Sequence, residues 1–177
     1  YRIAAWLSDR PIEALRREIR PGLAERDLGA ITEAAYVPWR GSNIIHFFFS
    51  TAMRAPDVFV PRQHLTARKL AKGDVIATEI TASFWECWGQ VLRTFSIEEP
   101  LTPEYRKLHD TAEAAFDAML AALKPGVSAR VLAVGAEVIA KAGFTFYDDL
   151  VHGFGGGYMQ PILGSPTLPC PAPPLSG

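Results

Sequence analysis

The sequence predicts an α+β fold, and two observations support this prediction. Residues 102–123 place apolar side chains at helical spacing, which is typical of an amphipathic helix. Residues 73–97 are instead rich in β-branched and aromatic residues, and they indicate two strands joined near Phe84 and Trp85. A hairpin folded at that point brings Glu79 and Gln90 to neighbouring positions, so two polar side chains are expected to converge on one face of a sheet.

The residues before the hairpin predict four further elements. Pro11 is expected to interrupt the first helix, and the Pro21-Gly22 step ends it. Aromatic residues mark the strand, and the connection after it is longer than most loops, which is typical of functional segments. In order, the elements are a helix over residues 3–19, a helix over residues 24–35, a strand over residues 41–49 and a polar loop over residues 54–73.

The residues after the hairpin predict two helices. Thr102 is a suitable N-cap and Pro103 suits the first helical position of residues 102–123. Ser128 caps a further helix over residues 131–142. The apolar face of the longer helix consists of Leu108, Ala112, Ala115, Phe116, Met119 and Leu123.

Composition excludes several classes of protein. A chain of 177 residues corresponds to one domain, and its net charge of −1 with scattered basic residues excludes a nucleic-acid footprint. The longest apolar runs are too short to span a membrane, and no signal peptide is visible. Cys87 and Cys170 are too few for a disulfide framework, which favours a reducing compartment. We therefore predict a cytoplasmic protein with neither nucleic-acid nor membrane partners.

A second motif follows the helices, where His152 precedes four glycines within residues 150–158. Together with the hairpin, it resembles the pita-bread metallopeptidases of family M24, which include methionine aminopeptidase, Xaa-Pro aminopeptidase and creatinase. In that family two Asp residues of the hairpin have ten residues between them, as Glu79 and Gln90 have here, and a Thr-Arg-Thr-like sequence follows. Arg93-Thr94 and the His-Gly-Phe-Gly sequence that begins at His152 match the family pattern.

The resemblance implies a pita-bread fold that is truncated at the C-terminus. Residues 1–164 are then a partial catalytic domain, and residues 165–177 are a proline-rich tail that we expect to be disordered. Composition alone leaves two other interpretations of this tail open, namely a linker or a ligand of the SH3 type.

The resemblance also implies roles for individual residues. Glu79 and His152 correspond to metal ligands, and His46 falls where the family keeps a histidine that contacts substrate or shuttles a proton. His46, His152 and Glu79 are therefore the candidate catalytic residues, and all three are expected to open into one concave site. From the residues alone, His46 is a partly buried strand histidine, and a lone histidine such as His152 is more often structural. The candidate substrate-binding residues are Gln90, Arg93 and Tyr158.

The metal ligands depart from the family pattern. Glu79 and Gln90 stand where the family has two Asp residues, and a neutral amide at position 90 removes a charge that bridges two ions. We therefore expect either no metal or a weakly bound divalent ion from the set that the family uses (Mn, Co, Zn or Fe). Leu92 replaces the Glu of the metal-free creatinase branch, so the chain does not match that branch either.

The resemblance implies hydrolysis of a C–N bond in a small substrate or at a peptide N-terminus, as in Xaa-Pro aminopeptidases. The alternative is an inactive or metal-free pita-bread protein that binds a small ligand or a partner. Expected partners are a small-molecule or peptide substrate and a second copy in a homodimer, and the chain alone is expected to be inactive. Among the hairpin aromatics, Trp85 is expected to pack in a core corner, and the alternative is that it lines a pocket or an interface.

Overall fold

Helices and antiparallel strands confirm the α+β class in the computed structural model, which describes residues 1–60 and 64–164. The predicted proline-rich tail at residues 165–177 lies outside these residues. In chain order the elements are α1 (Arg2–Glu18), α2 (Asp27–Tyr36), a 3₁₀ turn (Val37–Trp39), β1 (Ser42–Ala52), β2 (Asp74–Phe84), β3 (Cys87–Ser96), α3 (Pro103–Ala122), a second 3₁₀ turn (Ala129–Ala133), α4 (Val134–Lys141), β4 (Val151–Phe154) and β5 (Tyr158–Leu163).

The described residues form two compact units. The first comprises residues 1–102 with residues 155–157, and it contains α1, α2 and the sheet β1–β2–β3. The second comprises residues 103–154 and continues from residue 158; it contains α3, α4 and the antiparallel pair β4–β5.

The three-stranded sheet is antiparallel, and β2 lies at its centre. Phe84 pairs with Cys87, so the loop between β2 and β3 consists of Trp85 and Glu86 alone. Both residues have positive φ angles, 49° and 63°, as a two-residue turn of type I′ requires. Trp85 is 81% exposed, and the expectation that it packs in a core corner is therefore wrong. The twist of this tight turn directs its side chain into solvent.

One face of the sheet packs against α1 and forms the core of the first unit. Phe48, Ile76 and Ile80 are fully buried, and they pack with Leu15 of α1 and Leu28 of α2. Burial of large apolar side chains of this kind stabilises the fold by about 1.5–3 kcal/mol each. The helix-facing side of the sheet is thus the apolar side.

Helix α1 is continuous through Pro11, contrary to the predicted interruption. Pro11 is buried, and the helix is held on the sheet by Ser8, whose hydroxyl donates to Gly89 O at 2.6 Å and accepts from Ala82 N at 3.1 Å. These contacts are made one turn before Pro11. Tertiary contacts therefore keep the segment helical despite the hydrogen bond that proline removes.

Two further helices begin later than predicted. Helix α2 begins at Asp27 because Ala24 forms a β-bridge with Lys69, and the carboxylate of Asp27 accepts a hydrogen bond from Ala24 N. Residues 129–133 form a 3₁₀ turn before α4 begins at Val134. In α3, Ala115 is buried, whereas Phe116 of the predicted apolar face is 61% exposed.

Glu25 is fully buried and anchors the connection between β1 and β2. Its Oε1 accepts hydrogen bonds from Ser50 N at 2.9 Å and from the Ser50 hydroxyl at 3.1 Å. Its Oε2 accepts from Thr66 N at 3.1 Å and from the Thr66 hydroxyl. A buried charge is tolerated when donors surround it in this way. Glu25 thereby joins the segment before α2 to β1 and to the long connection that follows β1.

A second buried carboxylate holds the same connection to β2. Arg68 donates to both oxygens of Asp74, at 2.6 Å and 3.0 Å, and also to the Ser50 hydroxyl at 3.1 Å. Asp74 is 2% exposed and accepts a further bond from Ala71 N. The hydrogen bonds of Arg68 raise the pKa of its guanidinium, and the pair is bidentate, which fixes its geometry.

We predict that Glu25→Ala destabilises the protein by about 3–5 kcal/mol, because it leaves two buried donors of Ser50 and two partly buried donors of Thr66 without their common acceptor. Urea unfolding followed by circular dichroism measures this loss. The exposed Glu13→Ala is the control and should change stability by less than about 0.5 kcal/mol. Equal unfolding midpoints for the two variants would contradict the anchoring role.

We predict a second loss of stability for Gly89→Ala. An added Cβ would lie 2.5 Å from the Ala4 carbonyl carbon and 2.6 Å from Ala5 N, so α1 would have to move away from β3. Overpacking of this kind costs about 1–3 kcal/mol. Gly156→Ala, where an added Cβ meets open space, is the matched control in thermal unfolding. A Gly89→Ala variant that melts with the control would refute this close approach.

Candidate functional site

Glu79 and Gln90 converge on one face of the sheet, as the sequence predicted. Gln90 on β3 lies directly opposite Thr81, and Glu79 lies opposite Leu92, so the two side chains are diagonal neighbours. Gln90 Nε2 donates to Glu79 Oε1 at 2.9 Å and to the Thr81 hydroxyl at 3.3 Å. The hairpin register thus produces a carboxylate–amide pair supported by one hydroxyl.

This pair lies on the sheet face that points away from α1. Phe47 lies directly opposite Glu79 on β1, and alternation places Phe49 and Leu92 on the same face. Leu92 is 56% exposed, whereas Glu79 and Gln90 are each half-buried. Apolar neighbours lower the local dielectric and strengthen the hydrogen bond between amide and carboxylate. The pair is therefore a polar centre on a largely apolar surface, and it is suited to binding a polar group.

The residues of this face do not fit a two-ion metal centre. Glu79 supplies one carboxylate, and the amide of Gln90 presents its N–H group, which cannot bind a cation, to that carboxylate. Throughout residues 1–60 and 64–164, three potential ligands come together only at His109, Asp110 and Glu113. These three are exposed on α3, and such groups are common without an ion.

His46 lies on the opposite face of the sheet from Glu79. Its partner in the register is Ile80, whereas Phe47 pairs with Glu79, and successive side chains of a strand point to opposite faces. The expectation that His46 opens into the same site as Glu79 is therefore wrong.

His46 instead joins β1 to α2. Its side chain is 5% exposed; its Nε2 lies 2.8 Å from the hydroxyl of fully buried Tyr36, and its Nδ1 lies 3.8 Å from Glu33 Oε1. Burial lowers the pKa of His46, and the Glu33 carboxylate opposes this shift. Burial also raises the pKa of the Tyr36 hydroxyl. The geometry suits a neutral imidazole that accepts the Tyr36 hydroxyl bond at Nε2.

Arg93 is also separated from Gln90. The two residues are three positions apart on β3, so alternation directs their side chains to opposite faces. Arg93 is exposed, and its guanidinium donates to the carbonyl of Leu92 at 2.7 Å. The sequence motif that includes both residues therefore does not place them in one substrate pocket of the first unit.

In the second unit, His152 and Tyr158 come together. The two rings stack with centroids 4.4 Å apart, and Nδ1–H of His152 donates to Gly153 O at 3.1 Å. The hydroxyl of Tyr158 donates a hydrogen bond to the Asp149 carboxylate at 2.5 Å. The neighbouring Asp148 has a raised pKa, and burial is the main cause. His152 lies in β4, ahead of the glycine turn, as the motif predicted. A common site with Glu79 stays a prediction.

Sequence reasoning missed two buried residues that make long-range hydrogen bonds, namely Tyr36, which bonds to His46, and Glu25. Tyr36 ends α2 ten residues before His46, and Glu25 bonds to residues 25 and 41 positions later. Tyr36 continues the helical spacing of buried Leu28 and Thr32, and this spacing was the available signal for it, whereas Glu25 follows no such period. A carboxylate just before a helix, which resembles a first-turn acid, was the only available signal for Glu25.

The fold and the hairpin pair define a pita-bread protein. The sequence profile of metallopeptidase family M24 matches residues 1–168, and the chain belongs to this family. Among curated proteins, no sequence matches.

Solved structures of similar fold include three named peptidases. An X-Pro aminopeptidase from Thermotoga maritima matches 94% of this chain and 49% of its own (TM-score 0.77, 21% identity). A prolidase from Pyrococcus furiosus matches 90% of this chain over 48% of its own length (TM-score 0.78, 21% identity). A methionine aminopeptidase from Rickettsia prowazekii matches 99% of this chain over 73% of its own length (TM-score 0.79, 12% identity). The chain thus spans about half the length of the first two.

The helices of the described residues are all too short or too polar to cross a lipid bilayer.

We predict that His46 makes stability depend on pH. Its folded pKa is lowered from 6.5, so between the two pKa values the unfolded chain binds more protons and stability rises with pH. Acidification from about pH 7.5 to about pH 5.5 should therefore lower the urea midpoint of the unmodified protein more than that of His46→Gln. The exposed His109→Gln should behave like the unmodified protein, and a His46→Gln variant with the same acid loss would contradict the prediction.

Proposed function

We propose that this chain contributes the Glu79–Gln90 face to an M24-type hydrolase that cleaves a C–N bond of a small substrate or at a peptide N-terminus. The observation that carries the proposal is the hairpin itself. It is the part of the fold where the family keeps its metal-binding carboxylates, and here it holds Glu79 in a defined orientation on an accessible face. Family membership supports the reaction class, and the X-Pro aminopeptidase and prolidase of similar fold favour substrates with proline at the second position.

In this proposal Glu79 acts as the base. One of its oxygens is held by Gln90, which fixes the plane of the carboxylate. A carboxylate held in this way orients a water molecule and accepts its proton as the water attacks the carbonyl carbon. His152 is proposed to return a proton to the leaving nitrogen, which suits an imidazole because it titrates near neutral pH. Gln90 is a positioning residue here, because it acts through Glu79.

A second candidate function is a binding module without catalysis. The bond between the Gln90 amide and the Glu79 carboxylate favours it, because that bond already occupies one of the two carboxylate oxygens. In such a module the pair offers an acceptor and an amide oxygen to a ligand that carries N–H groups, for example the terminal amine of a peptide. A homodimer stays a prediction for either function.

We predict that the chain by itself gives no turnover of Xaa-Pro dipeptides, because it spans about half the length of the two proline peptidases of similar fold. A gene product that extends to their length should hydrolyse such substrates. In that product Glu79→Gln should reduce kcat about 100-fold or more, because it removes the base. Glu86→Gln, the same substitution at the exposed hairpin tip, should leave kcat unchanged.

Release of the N-terminal residue, followed by chromatography, measures turnover. Full activity of Glu79→Gln would contradict the assignment of the base. Saturable peptide binding without release in the longer product, lost in Glu79→Gln, would favour the binding module instead.

A further inference from the structure

We infer that the Glu79–Gln90 face is a metal-independent site, in which the Gln90 amide takes the place that a divalent ion holds in a metallopeptidase. The inference concerns ion binding alone. It holds whether the protein is a hydrolase or a binding module, and metal content is measured without any substrate.

The Gln90 amide turns its NH₂ group, and not its oxygen, towards Glu79. A carboxylate can only accept hydrogen bonds, so the amide group that lies 2.9 Å from Glu79 Oε1 must be the NH₂ group. The same nitrogen lies 3.3 Å from the Thr81 hydroxyl, which is able to accept its second hydrogen. The amide oxygen of Gln90 therefore points away from Glu79. Two oxygen ligands do not converge on a common point, as a bridging ion would require.

The negative charge at this pair is too small to hold two divalent ions. Hard divalent ions prefer anionic oxygen ligands, and two such ions bring four positive charges. At this pair the sheet offers one carboxylate and one neutral amide. An ion that approached Glu79 Oε1 would have to break the hydrogen bond that Gln90 Nε2 donates to this oxygen. If the amide then turned round, the ion would gain only the neutral amide oxygen of Gln90 as a second ligand. The hydrogen bond thus competes directly with metal binding.

The test compares Mn²⁺ binding by the full 177-residue chain and four variants, one of which is Glu79→Gln alone. All five proteins also carry Glu113→Ala, which removes the exposed His109–Asp110–Glu113 group as a competing site, and the chain with this change alone is the unmodified reference. Gln90→Asp adds a second carboxylate beside Glu79. Ser96→Asp is the matched control. Ser96 is exposed on the same strand and face, but it lies opposite Val75, four positions from Leu92, which is the partner of Glu79, so it adds the same charge away from Glu79. The remaining variant combines Gln90→Asp with Glu79→Gln.

We expect the unmodified site to retain well under one equivalent of Mn²⁺ after gel filtration. Free Mn²⁺, followed by electron paramagnetic resonance, should show Gln90→Asp binding at least about 10-fold more tightly than Ser96→Asp, since a second converging carboxylate is worth roughly 1.4 kcal/mol or more. The combined variant should lose this gain. Circular dichroism establishes that each variant is folded.

Two results would overturn the inference. One is a stoichiometric Mn²⁺ or Zn²⁺ ion in the unmodified chain that Glu79→Gln removes. The other is a folded Gln90→Asp variant that binds Mn²⁺ no more tightly than Ser96→Asp. If Gln90→Asp does not fold, the metal content of the unmodified chain and of Glu79→Gln, measured by elemental analysis, still shows whether Glu79 binds an ion. Failure of the hydrolase proposal would leave all of these measurements unaffected.

Discussion

The register of the β2–β3 hairpin is the constraint on which the candidate site depends. It is set by a two-residue turn in which Trp85 and Glu86 both adopt left-handed backbone angles, at a cost of about 1–2 kcal/mol each for residues other than glycine. Counting back from this turn places Gln90 opposite Thr81 and Glu79 one pair further along the same face. A slip of one residue would turn Gln90 towards α1 and separate it from Glu79.

The two faces of the central strand have different tasks. The face towards α1 is closed by apolar packing and by Ser8, and its one histidine, His46, bonds with Tyr36 inside the helix–sheet interface. The other face carries Glu79 and Gln90 among apolar side chains that are partly accessible. Polar groups on the first face stabilise the fold. Those on the second face are the ones available for chemistry.

Sequence reasoning succeeded where the signal is local. Strand alternation and the spacing between Glu79 and Gln90 were sufficient to predict that the pair meets, and the family resemblance to the pita-bread fold is confirmed by the family match. It failed for His46 because a motif gives the position of a residue in the chain but not the parity of its strand. The helix through Pro11 and the exposure of Trp85 were missed because tertiary contacts and turn geometry determined them.

The buried carboxylate of Glu25 also has a consequence for the cooperativity of folding. Hairpins with short loops form from local contacts, whereas β1 and β2 are joined by residues 53–73. Part of this connection pairs with residues 22–26, and Glu25 reaches across 25 and 41 positions to Ser50 and Thr66. Closing loops of this length costs entropy before any contact compensates for it. The contacts that compensate this cost come from the segment before α2, so the N-terminal residues and the sheet depend on one another for stability.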